Sequence, residues 1–262
     1  MALTQPIHIL LPEFQAFLVL ISRIGGLLAA IPVLSGGAVP LKVKVALVLS
    51  LGLLLAPMVQ LPTLPYDPVS LAAGIVNEMT IGVAIGLAVR LYFSALEVAG
   101  ELIGIQMGFG VVQLFDPATA RQTPIIGRFF TLLASLIFLS LNGHMFLVAT
   151  ILSSYDAIPA FGASLPGVVG DDVLRLSQNM FVLGLKLAAP VLVVIFLVNI
   201  LLAMLGRAVS QINVFVLSFP VTIAGGLAVM ALSMPYTVDL LTREMERLQL
   251  TIQTLLKALG HG

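Results

Sequence analysis

The sequence predicts an all-α, multi-helix membrane protein of helical hairpins, with about six long apolar helices plus a C-terminal amphipathic helix. Three observations predict it. Of its 262 residues 60% are hydrophobic and only 9% charged, with a mean hydropathy of +1.15. A soluble domain carries roughly 25% charged residues, so this surface cannot mostly face water. The apolar runs are also too long and continuous for the alternating, roughly ten-residue strands of a barrel. In lipid only helices and closed barrels satisfy their backbone polar groups, so the runs are read as helices.

Composition excludes other classes. No cysteine is present, which removes disulfides and thiolate metal sites. Zero formal net charge and a pI of about 6.8 offer nothing to nucleic acid, which is not expected as a partner. The first basic residue is Arg23, whereas a secretory signal opens with a basic region ahead of its apolar core. The first apolar stretch is therefore expected to be retained.

The elements follow in order. A first span is expected from about Phe14 to Val33, ending at Pro32 and a Gly36-Gly37 loop. A second runs from about Leu41 to Val59, stopped by Pro57, Pro62, Pro65 and Pro68, each of which resists helix on its N-terminal side. The third keeps helical character from near Val69 to about Gln106. At 1.5 Å per residue that is roughly 57 Å, well beyond a bilayer core of about 30 Å, so it bends, tilts strongly or projects from the membrane. A fourth span is expected over about Ile126 to Ser153, and a loop rich in Pro, Gly and Asp (Asp156 to Asp172) leads to a fifth, about Leu176 to Leu205. A polar break, Gly206 to Asn213, precedes a sixth, about Val214 to Met234. The tail from Pro235 to Leu259 places Leu240, Leu241, Met245, Leu248, Ile252, Leu255 and Leu256 apart from Arg243, Glu244, Glu246 and Arg247, the pattern of an amphipathic helix. With six spans, the positive-inside rule puts Lys42, Lys44, Arg121, Arg128 and Arg207 inside and both termini outside. Arg243, Arg247 and Lys257 in the tail run against that orientation.

Charges inside apolar spans are expensive and usually mark a partner or a pathway. The third span holds most of them: Glu78, Arg90, Glu97 and Glu101. On a helical wheel Arg90, Glu97 and Glu101 fall within about 40° of one another. Gly82, Gly86, Gly100 and Gly104 lie beside that strip, as Gly-x-x-x-Gly pairs that let helix backbones approach closely. One helix face thus combines close packing with ion-pairing groups, and protein or water rather than lipid must cover it. Two readings stay open: locks within the chain, or a water-lined or inter-subunit surface. A proton relay through Glu97 and Glu101 is the weaker reading, since two like charges one turn apart are a poor signal. Lys186 and Arg207 are expected to snorkel.

Catalytic parts are not visible. His144 is a lone imidazole, His8 and His261 lie near the ends, and no His, Asp or Glu cluster has metal-ligand spacing. Gly108-Phe109-Gly110 lacks the third glycine of a dinucleotide turn and follows no strand. No cofactor is expected, and the chain is not read as an enzyme.

The stretch after the third span is the least ordinary. Met107 sits where the helix meets it; Phe109, Val111, Val112, Leu114 and Phe115 are apolar, yet Gly108, Gly110 and Pro117 oppose helix. Non-helical apolar chain beside a span is tolerated where protein or a lumen surrounds it. The expectation is that the stretch Gly108 to Pro124, with Met107 at its start and Asp116 and Pro117 within it, folds into a conduit and obstructs it; the plainer alternative is an interhelical turn, for which about 17 residues is long.

Here a family resemblance emerges. Arg23-Ile-Gly-Gly, Pro32, Val39-Pro-Leu-Lys-Val-Lys and Pro57 resemble the opening of the FliR family, flagellar biosynthesis proteins of the type III export gate. Asn77-Glu-Met-Thr-Ile-Gly-Val-Ala-Ile-Gly, Ala99-Gly-Glu, Gln106-Met-Gly, Phe115-Asp-Pro and Leu141-Asn-Gly-His resemble its later motifs in the same order. Ala208-Val-Ser-Gln-Ile-Asn and Leu217-Ser-Phe-Pro are similar to FliQ, the small hairpin subunit of that gate.

The resemblance implies a FliP-like helical part over 1–170, with the pore plug at 108–124, followed by a FliQ-like hairpin and tail over 171–262. It implies FliP and FliQ homologues as partners in a channel for unfolded exported proteins. A hairpin tip at Arg207, Ser210, Gln211 and Asn213 would lie near an FlhB-like switch protein. It places the chain in the bacterial inner membrane, within the flagellar basal body and partly periplasmic in the assembled complex, in contact with membrane lipid. An injectisome gate is the neighbouring possibility. The alternative from another class, a small-solute secondary transporter, would show paired broken helices in two related halves, and no such halves are evident.

Overall fold

The computed structural model describes residues 5–31, 39–59, 67–109, 125–160, 168–209, 211 and 213–260. Every regular element among the described residues is a helix. They are α1 (Gln5–Ala30), α2 (Leu41–Leu55, followed by a 3-10 turn, Ala56–Met58), α3 (Pro68–Met107), α4 (Ile125–Ser140), α5 (Gly143–Ala157), α6 (Val168–Ala208), α7 (Val214–Leu232) and α8 (Met234–Gly260). The fold is an all-α membrane protein.

Local chemistry sets several boundaries. Pro57 lies in the turn that ends α2. Asp67 starts α3: one carboxylate oxygen accepts from the Ser70 backbone N–H at 3.0 Å and from its hydroxyl at 2.9 Å. Pro68, at the first helical position, spends no N–H there. Those bonds from Ser70, backbone first, hold the Asp67 carboxyl below its usual range. Asn213 caps α7 in the same manner, accepting from the Val216 N–H at 3.3 Å. Arg207 stands in the last turn of α6, where a cation suits the helix dipole.

Helix α3 runs 40 residues without a break, matching the overlong third span. The fourth span does not match. Instead of one helix over Ile126 to Ser153, α4 and α5 meet at Leu141-Asn142 and bend by 68°. Asn142 has φ 55°, in the left-handed region that asparagine enters more readily than other residues with a side chain. Buried Gly143 follows it. Among the described residues four helical stretches are long and apolar enough to cross a membrane: Leu41–Met58, Pro68–Met107, Val173–Ala208 and Val214–Leu232. The bent α4–α5 pair makes a fifth if it counts as one broken span, and the apolar part of α1, Phe14–Ala30, is shorter. Among the described residues, then, the departure from the expected apolar helices is the bend within the fourth.

Two compact units share the chain. The first comprises Met1–Leu91, Asn142–Leu176 and Arg247–Gly262. It buries Val19, Leu20, Ile24 and Leu27 of α1, Ile81, Ile85 and Val89 of α3, Ile151 of α5, and Ile252 and Leu255 of α8. The second comprises Tyr92–Leu141 and Ser177–Glu246. It buries Phe93, Leu96, Ile103 and Met107 of α3, Phe130 and Ala134 of α4, Leu187, Val191 and Ile195 of α6, and Leu241 and Met245 of α8. Phe93 makes edge contacts with Tyr92 and Phe138, and the Tyr92 hydroxyl donates to the Leu241 carbonyl at 2.9 Å. This division concerns packing; the expected division at residue 170 concerns likeness to other subunits.

Candidate functional site

The strongest polar arrangement in the first unit is centred on Arg23 of α1, which is fully buried. Its Nε donates to Glu78 Oε2 at 2.6 Å, one terminal nitrogen donates to the Ser154 hydroxyl at 3.0 Å, and the other to the Ile158 carbonyl at 3.1 Å. The guanidinium carbon lies 3.8 Å from the centre of the Tyr155 ring. A buried ion pair is tolerable only when its remaining hydrogen-bonding groups are also satisfied, and here all three guanidinium nitrogens are engaged. One side chain thereby ties α1 to α3, to α5 and to the segment just after it.

Glycines allow the charges to come that close. A methyl added at Gly82 of α3 would collide with the Arg23 carbonyl, and one at Gly26 of α1 with the Met79 carbonyl. At Gly86 it would lie 2.6 Å from both the Ala30 Cβ and the Leu27 carbonyl oxygen. The two backbones cross in contact, the arrangement that Gly-x-x-x-Gly spacing permits.

The expected face of α3 therefore divides. Glu78, Gly82 and Gly86 are closed against this chain's own helices and present no outward surface. In the second unit Gly100 likewise meets the backbone of Gly127 on α4. Gly104 has open space where a side chain would stand. Arg90 in the first unit, and Glu97 and Glu101 in the second, are exposed. None of these three makes an ion pair among the described residues. One helix thus carries glycines and a glutamate closed within this chain and charged residues exposed on it.

At the end of α3, Met107 is fully buried, while Gly108 takes φ +90° and Phe109 is half-buried. The rest of the expected plug, Gly110, Val111, Val112, Leu114, Phe115, Asp116 and Pro117, lies outside the described residues. At the hairpin tip Arg207, Gln211 and Asn213 are exposed, and Ser210 lies outside the described residues. His144 is exposed, and no group of three or more acidic or histidine side chains among the described residues could hold a metal ion.

Sequence reasoning passed over Arg23 as a site, taking it for the first basic residue and part of a motif. Its signal was present: a lone arginine inside an apolar run, followed at once by Gly25-Gly26.

Several apolar helices of membrane length, one of them carrying the glutamate of a buried arginine–glutamate pair, define an integral membrane protein of the helical class. Comparison with known sequences narrows the class. Residues 14–248 match the family described as Bacterial export proteins, family 1. The chain is 32% identical over 213 residues to the flagellar biosynthetic protein FliR of Pectobacterium carotovorum subsp. carotovorum, covering 81% of this chain and 82% of the relative. It is 32% identical over 216 residues to FliR of Escherichia coli (strain K12), with 81% and 82% covered. It is 30% identical over 217 residues to FliR of Bacillus subtilis (strain 168), with 80% and 83% covered. The chain belongs to this family of bacterial export proteins, alongside the FliR proteins.

Proposed function

We propose that this chain is a core subunit of the type III protein export gate for flagellar assembly. With FliP and FliQ homologues it forms the channel through which unfolded flagellar proteins pass, and the loop after α3 closes the pore. The gate sits in the bacterial inner membrane within the flagellar basal body. Residues 1–170 act as the FliP-like part and 171–262 as the FliQ-like hairpin, whose tip at Arg207 to Asn213 faces an FlhB-like switch protein. The names of the curated relatives favour the flagellar system over an injectisome.

The observation that carries this reading is the pair of exposed acids, Glu97 and Glu101, on a helix long and apolar enough to span a membrane. Carboxylates set against acyl chains cost several kcal/mol, roughly 2.5–3.5 each on insertion scales, so neighbouring protein or a water-filled conduit covers them. Subunits of a channel assembly supply both.

Solubilised native membranes give the test. Pulled down through a tag, the chain should bring FliP and FliQ homologues with it; isolation as a stable, uncomplexed protein binding a small solute would instead support a transporter. Removing residues 109–115 should raise ion leakage through the assembled complex. Unchanged leakage would sink the plug assignment while leaving gate membership to the pull-down.

A further inference from the structure

Where α3 ends, the second unit holds an anchor that neither the family match nor the proposed plug accounts for. The Thr222 hydroxyl of α7 lies 3.1 Å from the Met107 carbonyl, and within 2.9 and 3.2 Å of the Ser218 and Phe219 carbonyls of its own helix. A hydroxyl carries one proton. Ser218 and Phe219 lie in the first turns of α7, where the helix's own ladder uses their carbonyls, whereas the last carbonyls of a helix such as α3 have no partner in that ladder. The proton therefore contributes most at Met107.

Sterics at the same place agree. A Cβ at Gly226, one turn further along α7, would stand 2.8 Å from Met107 Cγ and 3.0 Å from its sulfur. The Met107 side chain occupies the space that this glycine leaves. The next residue, Gly108, turns the chain at φ +90°, and the Phe219 ring lies 3.0 Å from where its Cβ would be. Glycine is thus required there twice, by backbone conformation and by the ring. Phe219 is itself held by an edge contact with Phe215, at 5.0 Å between ring centres.

We propose that Thr222, Gly226 and Phe219 of α7 are positioning residues that fix the end of α3 at Met107 and Gly108, and so set the direction in which the chain leaves that helix. The proposal rests on the gate reading for its consequence: the closed state of the conduit depends on α7, in the hairpin part, as well as on the loop itself.

Thr222→Val keeps the shape and removes the donor; Gly226→Val drives Met107 from its place. In assembled complexes in native membranes Thr222→Val should raise ion leakage about fivefold, the population shift expected when one buried hydrogen bond of ordinary strength is lost, and Gly226→Val should raise it at least as much by overpacking the Met107 site. Thr222→Ser should stay at the parent level, and the amount of complex should not change. Because the chain contains no cysteine, Met107→Cys with Gly226→Cys gives a second readout: the pair should oxidise to a disulfide, and the linked complex should stay closed. If the 109–115 deletion leaks while Thr222→Val and Gly226→Val do not, the anchor is wrong and the gate reading survives. If the deletion itself does not leak, the plug falls, and the disulfide alone then decides the anchor. A pair that fails to link overturns it in either case.

Discussion

One helix carries two kinds of glutamate. In the first part of α3, Glu78 is wholly buried, paired with Arg23 and framed by glycines that let α1 lie against it. Further along, in the second unit, Glu97 and Glu101 stand exposed without an ion pair among the described residues. The residue type is the same and so is the surrounding hydropathy; the difference is whether this chain supplies the counter-charge. Where it does, the carboxylate organises the fold. Where it does not, the carboxylate is left on the outside of this chain, and the proposed gate gives it neighbouring protein or water to face.

The comparison breaks most sharply at Arg23. Arg23→Ala should remove the counter-charge of the buried Glu78 carboxylate, costing about 3–5 kcal/mol and collapsing the amount of protein recovered from membranes. Arg23→Met combined with Glu78→Met should recover most of that loss, because replacing a buried pair by apolar residues of similar size is often neutral. If the single and double variants were equally damaged, the pair would not be what holds α1 to α3.

Glycine substitutions come next. Gly82→Val should force α1 and α3 apart, at about 1–3 kcal/mol, and lower the melting temperature of the solubilised complex. Gly104→Val, placed in open space, should leave that temperature unchanged. Smaller again in stability is the effect of Glu97→Gln with Glu101→Gln: within about 0.5 kcal/mol, as for surface positions. The same double variant should nonetheless reduce the FliP and FliQ homologues recovered with the chain. A large stability loss with unchanged recovery would reverse the roles assigned to the two kinds of glutamate.

The smallest effect is expected at Asp67, whose carboxyl is held low by Ser70. A lowered pKa in the folded state means that the cap is present above the ordinary carboxyl range and is lost as pH falls through the folded value. Amide exchange at the start of α3 should therefore quicken on acidification in the parent protein, and Asp67→Ala should remove that pH dependence.

Much of this was legible in the sequence because hydropathy and helical period report on local surroundings. The third span, expected from Val69 to Gln106, is observed as Pro68–Met107, and Leu241, Met245, Leu248, Ile252, Leu255 and Leu256 of the tail are buried as the amphipathic pattern requires. What escaped was non-local or conformational. Nothing in one sequence pairs Arg23 with a glutamate far along the chain. The hydropathy of Ile126 to Ser153 is continuous, so it hides a bend that only the backbone of Asn142 reveals. Asn142-Gly143 is itself a turn signal, and the reading of one continuous span passed over it. A helical wheel puts glycine beside charge on α3, but it cannot say that α1 already occupies the Gly82 and Gly86 side.

The partners of Arg23 are 55, 131 and 135 residues away along the chain. During synthesis, then, the Arg23 cation precedes all three of its hydrogen-bond partners in the fold. Glu78 arrives first, while Ser154 and Ile158 follow only once most of the protein has been made. Helix α1 thus emerges well before the residues that lock it in place, and a chain truncated before α3 would present Arg23 to the membrane without its Glu78 partner.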